Sequence, residues 1–316
     1  MAETSDARRI VVELAPVAFP RRDRDVVSYD AVAVGPDRAI YVASRVGLAR
    51  LFSRRPPYTY RVLAFADGEC TLDVTIAGLP FVVHHVQPLG EHLLLASARC
   101  MRRSDGHVDR NARVHARSGE LVREFTLGDG LEDVQTTKDG QIWTSYFDEG
   151  VLGNPGYGWR DPVGAAGLVA WSDDGERRYA YEPPAGVDPV VDCYALNVAA
   201  KDDVWLCYYG EFPLVRLRHR QPVAWWPAPV EGSRAFAVDG RHVLFGEGSH
   251  GVCDYALYAL GQNGETSHLA TFAPQGPDGE TLAAERLVAR ADALVIENRG
   301  RFYTLGIDDA LAHVTR

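Results

Sequence analysis

The chain has 316 residues, 46% hydrophobic and 24% charged, the balance of an ordinary globular protein. Its 33 Lys and Arg against 43 Asp and Glu give a formal charge of −10, which argues against nucleic acid and against an anionic membrane surface as partners. No run approaches the roughly 18 apolar residues of a spanning helix, and the start MAETSDARR lacks the apolar stretch of a secretory signal. Five scattered cysteines, Cys70, Cys100, Cys193, Cys207 and Cys253, form no CxxC pair and read as reduced thiols, so a cytoplasmic location is expected. Cys100 reads as an inert surface or core cysteine; the alternative is a reactive thiol, because Arg99, Arg102 and Arg103 flank it and positive charge there would lower its pKa.

In chain order, the first alternating segment is RRIVVELAPV (8–17), with no hairpin partner nearby. A phrase then recurs at roughly 40–60 residues, the signature of one stacked supersecondary unit. Its copies are YDAVAVGPDRAIYVASR (29–45), HHVQPLGEHLLLASAR (84–99), EDVQTTKDGQIWTSYF (132–147) and YALNVAAKDDVWLCYYG (194–210), then the shorter RAFAVDGRHVLFGEG (234–248) and ERLVARADALVIENR (285–299). Each is a strand, a polar turn and a second strand. Each continues into a second hairpin: GLARLF with PYTYRVLAFA, then ARVHAR with ELVREFTLG, GLVAWS with RRYAYEPP, PLVRLR with PVAWWPAP, YALYALG with TSHLATFAP, and RFYTLG with ALAHVTR. Turns such as SG, DDG and NG supply residues that accept positive φ. Four strands in each of six units predict an all-β, single-domain six-bladed β-propeller over 1–316. The ring is expected to close by adding 8–17 to the C-terminal blade, which would remove two open sheet edges. A β-sandwich fits less well, because sandwich strands need not resemble one another. GPDGETLAAERL (276–287) is the one helical candidate.

Aligning the copies places Asp30, His84, Glu132, Tyr194, Arg234 and Glu285 at the starts of the innermost strands. The second strands end at Arg45, Arg99, Tyr146 with Phe147, Tyr208 with Tyr209, Glu247, and Asn298 with Arg299. His85, Asp133, Asp148, Glu149, Glu211 and His250 lie one step away. Strand interiors are apolar, whereas these tips are acidic, basic, His and Tyr. Ionisable groups that converge shift one another's pKa values, as acid–base catalysis and metal binding require. Strand ends also border loops, which are polar in any case. The long insertion SYFDEGVLGNPGYGWRDPVGAAG (145–167) carries Phe147, Tyr157 and Trp159 and is expected to fold over the mouth. A second insertion, CMRRSDGHVDRN (100–111), offers Arg102 and Arg103 to an anion; SHGVCDY (249–255) holds His250. His84 and His85 are adjacent on a strand, so at most one of them faces the mouth.

KDGQIWTSY (138–146) and GPDRAIYVAS (35–44) resemble the six-bladed propellers of the gluconolactonase, senescence-marker and NHL-repeat type. The resemblance implies the fold. It also implies a divalent cation, calcium first, held by oxygen ligands at strand starts, where Asp30, Glu132 and Glu285 stand and Asn197 lies near. His84 and Arg234 depart from that pattern. The expected function is processing of a small polar metabolite by hydrolysis, elimination or isomerisation. Glu132 or Asp133 would act as base or cation ligand, and His84 or His85 would transfer a proton with Tyr146 and Tyr208 beside them. Arg45, Arg99, Asp148, Glu149, Trp159, Tyr194, Arg234, Glu247 and Arg299 would bind the substrate. The alternative is a propeller without chemistry that binds a peptide or protein partner on the same face. No GxSxG elbow, HExxH, GxGxxG opening a helix or phosphate-binding loop is present.

Overall fold

The computed structural model describes residues 9–18, 29–46, 56–246 and 254–315. Glu247, His250, Cys253 and the whole of GLARLF (47–52) lie outside the described residues. The described strands form six sheets, each with the chain running antiparallel between neighbouring hairpin strands, and the chain is an all-β, six-bladed β-propeller. Among the described residues no helix is long and apolar enough to cross a membrane.

The sheets fall into two compact units. The first holds residues 20–193 with 200–202. Its first sheet runs Ala31–Val34, Ile40–Arg45, Tyr58–Ala66, Glu69–Leu79. Ile40–Arg45 is buried at every position but its last, as a strand packed on both faces must be. Glu69–Leu79 alternates exposed and buried residues, the pattern of a strand with one wet face. Asp67 and Gly68, at φ 50 and 82, join Tyr58–Ala66 to it in a tight hairpin. This corrects the expected second hairpin: PYTYRVLAFA supplies the third strand, and Glu69–Leu79, unassigned in the repeat pattern, supplies the fourth. The second sheet is His85–Leu89, His92–Ala96, Ala112–Ala116, Leu121–Phe125, and the third is Leu131–Thr136, Ile142–Tyr146, Leu168–Trp171, Arg177–Ala180. Gln87 spans these sheets from inside, donating to the Val34 carbonyl at 3.5 Å and accepting from Thr136 at 3.3 Å.

The other unit holds residues 1–19, 194–199 and 203–316. Its sheets are built on Cys193–Ala200, Phe236–Val238 and Arg286–Arg290 as inner strands. The N-terminal segment divides between two of them. Arg9–Glu13 adds in parallel to Thr266–Gln275, while Pro16–Ala18 pairs antiparallel with Arg301–Gly306 as the outermost strand of the last sheet. ALAHVTR is therefore not that strand. Ile307–Val314 is a helix: Ile307, Ala310, Leu311 and Val314 share one face and pack on the core, and Asp308 and Asp309 complement the helix dipole at its first turn. Residues 276–285 are not helical. Gly279 at φ 75 turns the chain, and Arg286 begins a strand.

Inside this unit Asn197 is fully buried. Its amide donates to the carbonyls of Phe236 (2.8 Å) and Ala291 (2.9 Å) and accepts from the Ala291 N–H (2.8 Å), so it ties its own strand to a second strand and to the turn after Arg286–Arg290 and is spent on structure. Trp205 stacks on Trp226 at 5.6 Å in the same core.

Candidate functional site

Asp30, His84 and Glu285 stand at equivalent strand starts. Their backbone N–H groups donate to Ala43, Ala96 and Glu297 carbonyls at 2.8–2.9 Å. Their side chains all turn towards the end of the neighbouring strand. Asp30 accepts from Arg45 Nε at 3.2 Å, His84 Nδ1 from the Ala98 N–H at 3.1 Å, and Glu285 from the Arg299 N–H at 3.1 Å. A polar start thus clasps the exit of its own hairpin and satisfies groups that the ladder leaves behind.

In the 20–193 unit these clasps converge. The Arg45 guanidinium lies over the rings of Tyr58 (5.1 Å) and Tyr60 (6.0 Å). The Tyr60 hydroxyl accepts from the Val83 N–H at 3.1 Å, and burial first, then Asp30, pushes its pKa up to about 12. His84 is exposed by surface area, yet loss of water lowers its pKa, with Asp30 opposing and Arg45 and Arg99 assisting. Because a backbone N–H must donate, His84 Nδ1 is the accepting nitrogen and the proton sits on Nε2. His85 faces the other way, as strand alternation requires. Burial, then His84, holds it at about 3, and its Nε2 has no hydrogen-bond partner among the described residues. His85 is a half-buried, neutral imidazole whose Nε2 is shielded from solvent.

Arg99 organises the two insertions. It pairs with Asp129 at 2.9 Å and with Glu149, and its guanidinium lies over Tyr157 (4.1 Å) and Phe147 (5.4 Å). Asp129 is buried and also accepts the Cys100 N–H at 2.8 Å. Burial raises its pKa against the pull of Cys100 N–H and Arg99. Asp148 and Glu149 open a short helix, Asp148–Leu152, and are exposed apart from these pairs. Trp159 is buried and donates from its indole to the Cys100 carbonyl at 2.7 Å, and Arg102 stacks on its ring at 5.8 Å. The aromatics of 145–167 are therefore docked on the 100–111 segment and on Arg99. Arg102 and Arg103 are engaged there too, Arg103 with Asp109 at 3.4 Å. Cys100 is buried, and burial with Asp109 and Asp129 pushes its thiol up to about 12, so of the two readings it is the inert core cysteine and not the reactive thiol.

The remaining positions divide. Glu132 lies at a register shift between Leu131 and Asp133, half-buried. Asp133 turns onto its own strand, accepting from Val134 N–H (2.7 Å) and Gln135 (2.9 Å). Tyr146 and Tyr208 are fully buried, and Tyr146 donates to the Leu127 carbonyl at 2.6 Å, so both are packing residues here. In the other unit, Tyr194 packs with Tyr209 and Phe212 beneath Arg234, and Arg299 is exposed. The donor set does not fit a divalent cation. Asp30 faces a guanidinium, Glu285 holds a backbone N–H, and among the described residues no three His, Cys, Asp or Glu side chains are grouped to hold a metal.

Sequence reasoning missed Asp129 and Tyr60. The signal for Asp129 was LGDGL (127–131): Gly128 and Gly130 have φ 92 and 73, and a side chain on Gly130 would collide with the Gly150 backbone. Glycines on both sides of a carboxylate mark a place where backbone crowds around it.

A profile of the YxzG family matches residues 184–305. No curated protein matches the chain. Two solved structures are similar in course. One is provisionally assigned as a 6-phosphogluconolactonase, from Bacteroides uniformis: 12% identity, 90% of this chain and 87% of that chain covered, TM-score 0.46. The other is virginiamycin B lyase from Staphylococcus aureus: 11% identity, the same coverages of 90% and 87%, TM-score 0.43.

Proposed function

We propose that the recess around His84 in the 20–193 unit recognises a small polar ligand and does not transform it. Asp30, Arg45, Tyr60 and Arg99 around His84 offer both signs of charge and two aromatic-backed guanidinium groups. Such a place suits a ligand rich in hydroxyl or carboxylate oxygens. The observation that carries the reading is the bond from the Ala98 N–H to His84 Nδ1. It occupies the one lone pair with which this histidine would act as a base, and the other proton-transfer groups expected here are buried or paired.

The second reading, an acid–base enzyme, draws on one feature. His84 has a lowered pKa, is neutral at pH 7 and touches solvent. It would then have to release Ala98 during turnover. A thermal-shift screen with hydroxy acids, lactones and polyols separates the two. On our reading a hit is recovered unchanged by mass spectrometry, and Arg45→Lys, which keeps the charge and loses the planar fork, weakens it about tenfold. Recovery of a product, lost on His84→Ala, would establish the enzyme instead.

A further inference from the structure

A second surface lies in the 194–316 unit. Tyr194, Tyr209 and Phe212 pack ring against ring, with centroids 6.2 Å apart for Tyr194 and Tyr209, 5.6 Å for Tyr194 and Phe212, and 5.8 Å for Tyr209 and Phe212. Tyr209 and Phe212 meet edge to face at 89°. Tyr209 nevertheless stays 51% exposed. A half-exposed ring braced by two others is held in place before anything binds, which lowers the ordering cost of using it.

Two features show how the chain holds this arrangement. Phe212 has φ 46, a left-handed conformation that a bulky side chain adopts only when its surroundings impose it. Its carbonyl accepts the Ala228 N–H at 2.9 Å, which fixes the turn that presents Tyr209. Arg234 lies over the Tyr194 ring at 5.5 Å, so one ring of the cluster already receives a guanidinium on its face. Glu211 and Glu231, both exposed, flank the cluster in the chain; Gly232, next to Glu231, would carry a side chain 3.8 Å from Tyr194. The whole chain carries −10.

From these observations we infer that the open face of Tyr209 is a docking point for an arginine side chain on a basic segment of a partner protein. The aromatic face attracts the cation, the two flanking carboxylates outnumber Arg234, and the field of an acidic protein draws a basic segment in. A nucleobase could stack on the same ring, but its phosphates would meet Glu211, Glu231 and the net negative charge.

A fluorescently labelled hexa-arginine peptide, followed by anisotropy at 0.15 M salt, tests the site in the full chain. Tyr209→Ala should weaken binding about three- to tenfold, the size expected of one partly exposed cation–π contact. Tyr209→Phe, which keeps the ring face, should stay within about twofold. Glu211→Gln should weaken binding and flatten its salt dependence. Peptide binding that is absent, or equal in wild type and Tyr209→Ala, would overturn the assignment. So would tighter binding of a labelled oligothymidine. Because Tyr209 is half exposed, the alanine variant tests binding without emptying a core position. The result is also independent of any ligand found at His84.

Discussion

In residues 20–193 the strand tips end in charges that hold one another, Asp30 with Arg45 and Arg99 with Asp129 and Glu149, while the interior amide Gln87 makes long contacts of 3.3–3.5 Å. In residues 194–316 the balance is reversed. The interior Asn197 makes three bonds of 2.8–2.9 Å, and the tips carry a half-exposed Tyr209 with exposed Arg234 and Arg299. One repeat thus supports two ways of fixing a sheet. One ties the tips by ion pairs and leaves the interior bridge slack. The other ties the interior and sets aromatic contacts at the tips. Tips fixed by charge hold polar groups in preset pairs, and tips fixed by rings present aromatic side chains braced at steep angles to one another.

The largest effect should come from the interior bridges. Asn197→Leu strands two carbonyls and one N–H in a dry core, at about 1–3 kcal/mol each, so a loss of roughly 3–5 kcal/mol is expected after relaxation. Gln87→Leu should cost about 1 kcal/mol, because its partners are already distant and Thr136 keeps its bond to the Pro88 carbonyl at 2.6 Å. Urea unfolding of the two variants measures the difference. Equal losses would erase the contrast between the interiors.

This contrast was only partly legible in the sequence. The six-fold return of apolar strand, polar turn and apolar strand fixes the sheets, because period-two burial is a local property. The strand starts were legible for the same reason: Asp30, His84 and Glu285 do occupy one equivalent position. What they bond was not legible. Arg99 meets Glu149 across 50 residues, and nothing local marks that pairing. The C-terminal helix was missed although Ile307, Ala310, Leu311 and Val314 have helical spacing, because ALAHVTR read as the hairpin partner of RFYTLG in step with the earlier repeats. The parallel addition of Arg9–Glu13 has no local signal at all, since a parallel partner can lie anywhere in the chain.

Arg99→Ala sharpens the comparison at the tips. It removes the counter-charge of a buried carboxylate. Breaking a buried pair costs about 3–5 kcal/mol, and the partial exposure of Arg99 reduces that to roughly 2–3 kcal/mol at pH 7. The sign with pH follows from Asp129, whose folded-state pKa is already raised by burial. Without Arg99 it rises further. Between the ordinary carboxylate value and that raised value the folded chain binds more protons than the unfolded chain, so stability falls as pH rises through the window. The variant should therefore lose most at pH 7 to 8 and less near pH 5. A loss constant over this range would mean that stacking on Tyr157 and Phe147, and not charge, is what Arg99 supplies. No comparable pH dependence is expected from Tyr209→Ala in the other unit, whose contacts are between rings.

The smallest effect concerns how firmly the 145–167 segment is seated. Trp159→Phe keeps an aromatic ring of smaller size and removes the N–H that donates to the Cys100 carbonyl, the hydrogen-bond share of the change being about 1 kcal/mol. In the native protein Cys70 is exposed, while Cys100 is buried with its thiol pushed up to about 12, so iodoacetamide at pH 8 should label Cys70 first and Cys100 slowly. If the indole bond holds the segment on Cys100, labelling of Cys100 proceeds through local opening and should speed up about fivefold in Trp159→Phe, the factor equivalent to 1 kcal/mol. Cys70 should keep its rate, which makes it the internal reference within each peptide map. An unchanged Cys100 rate would mean that the segment is seated by the Arg99 ion pairs alone. The charged tips would then hold the insertion as well as the recess.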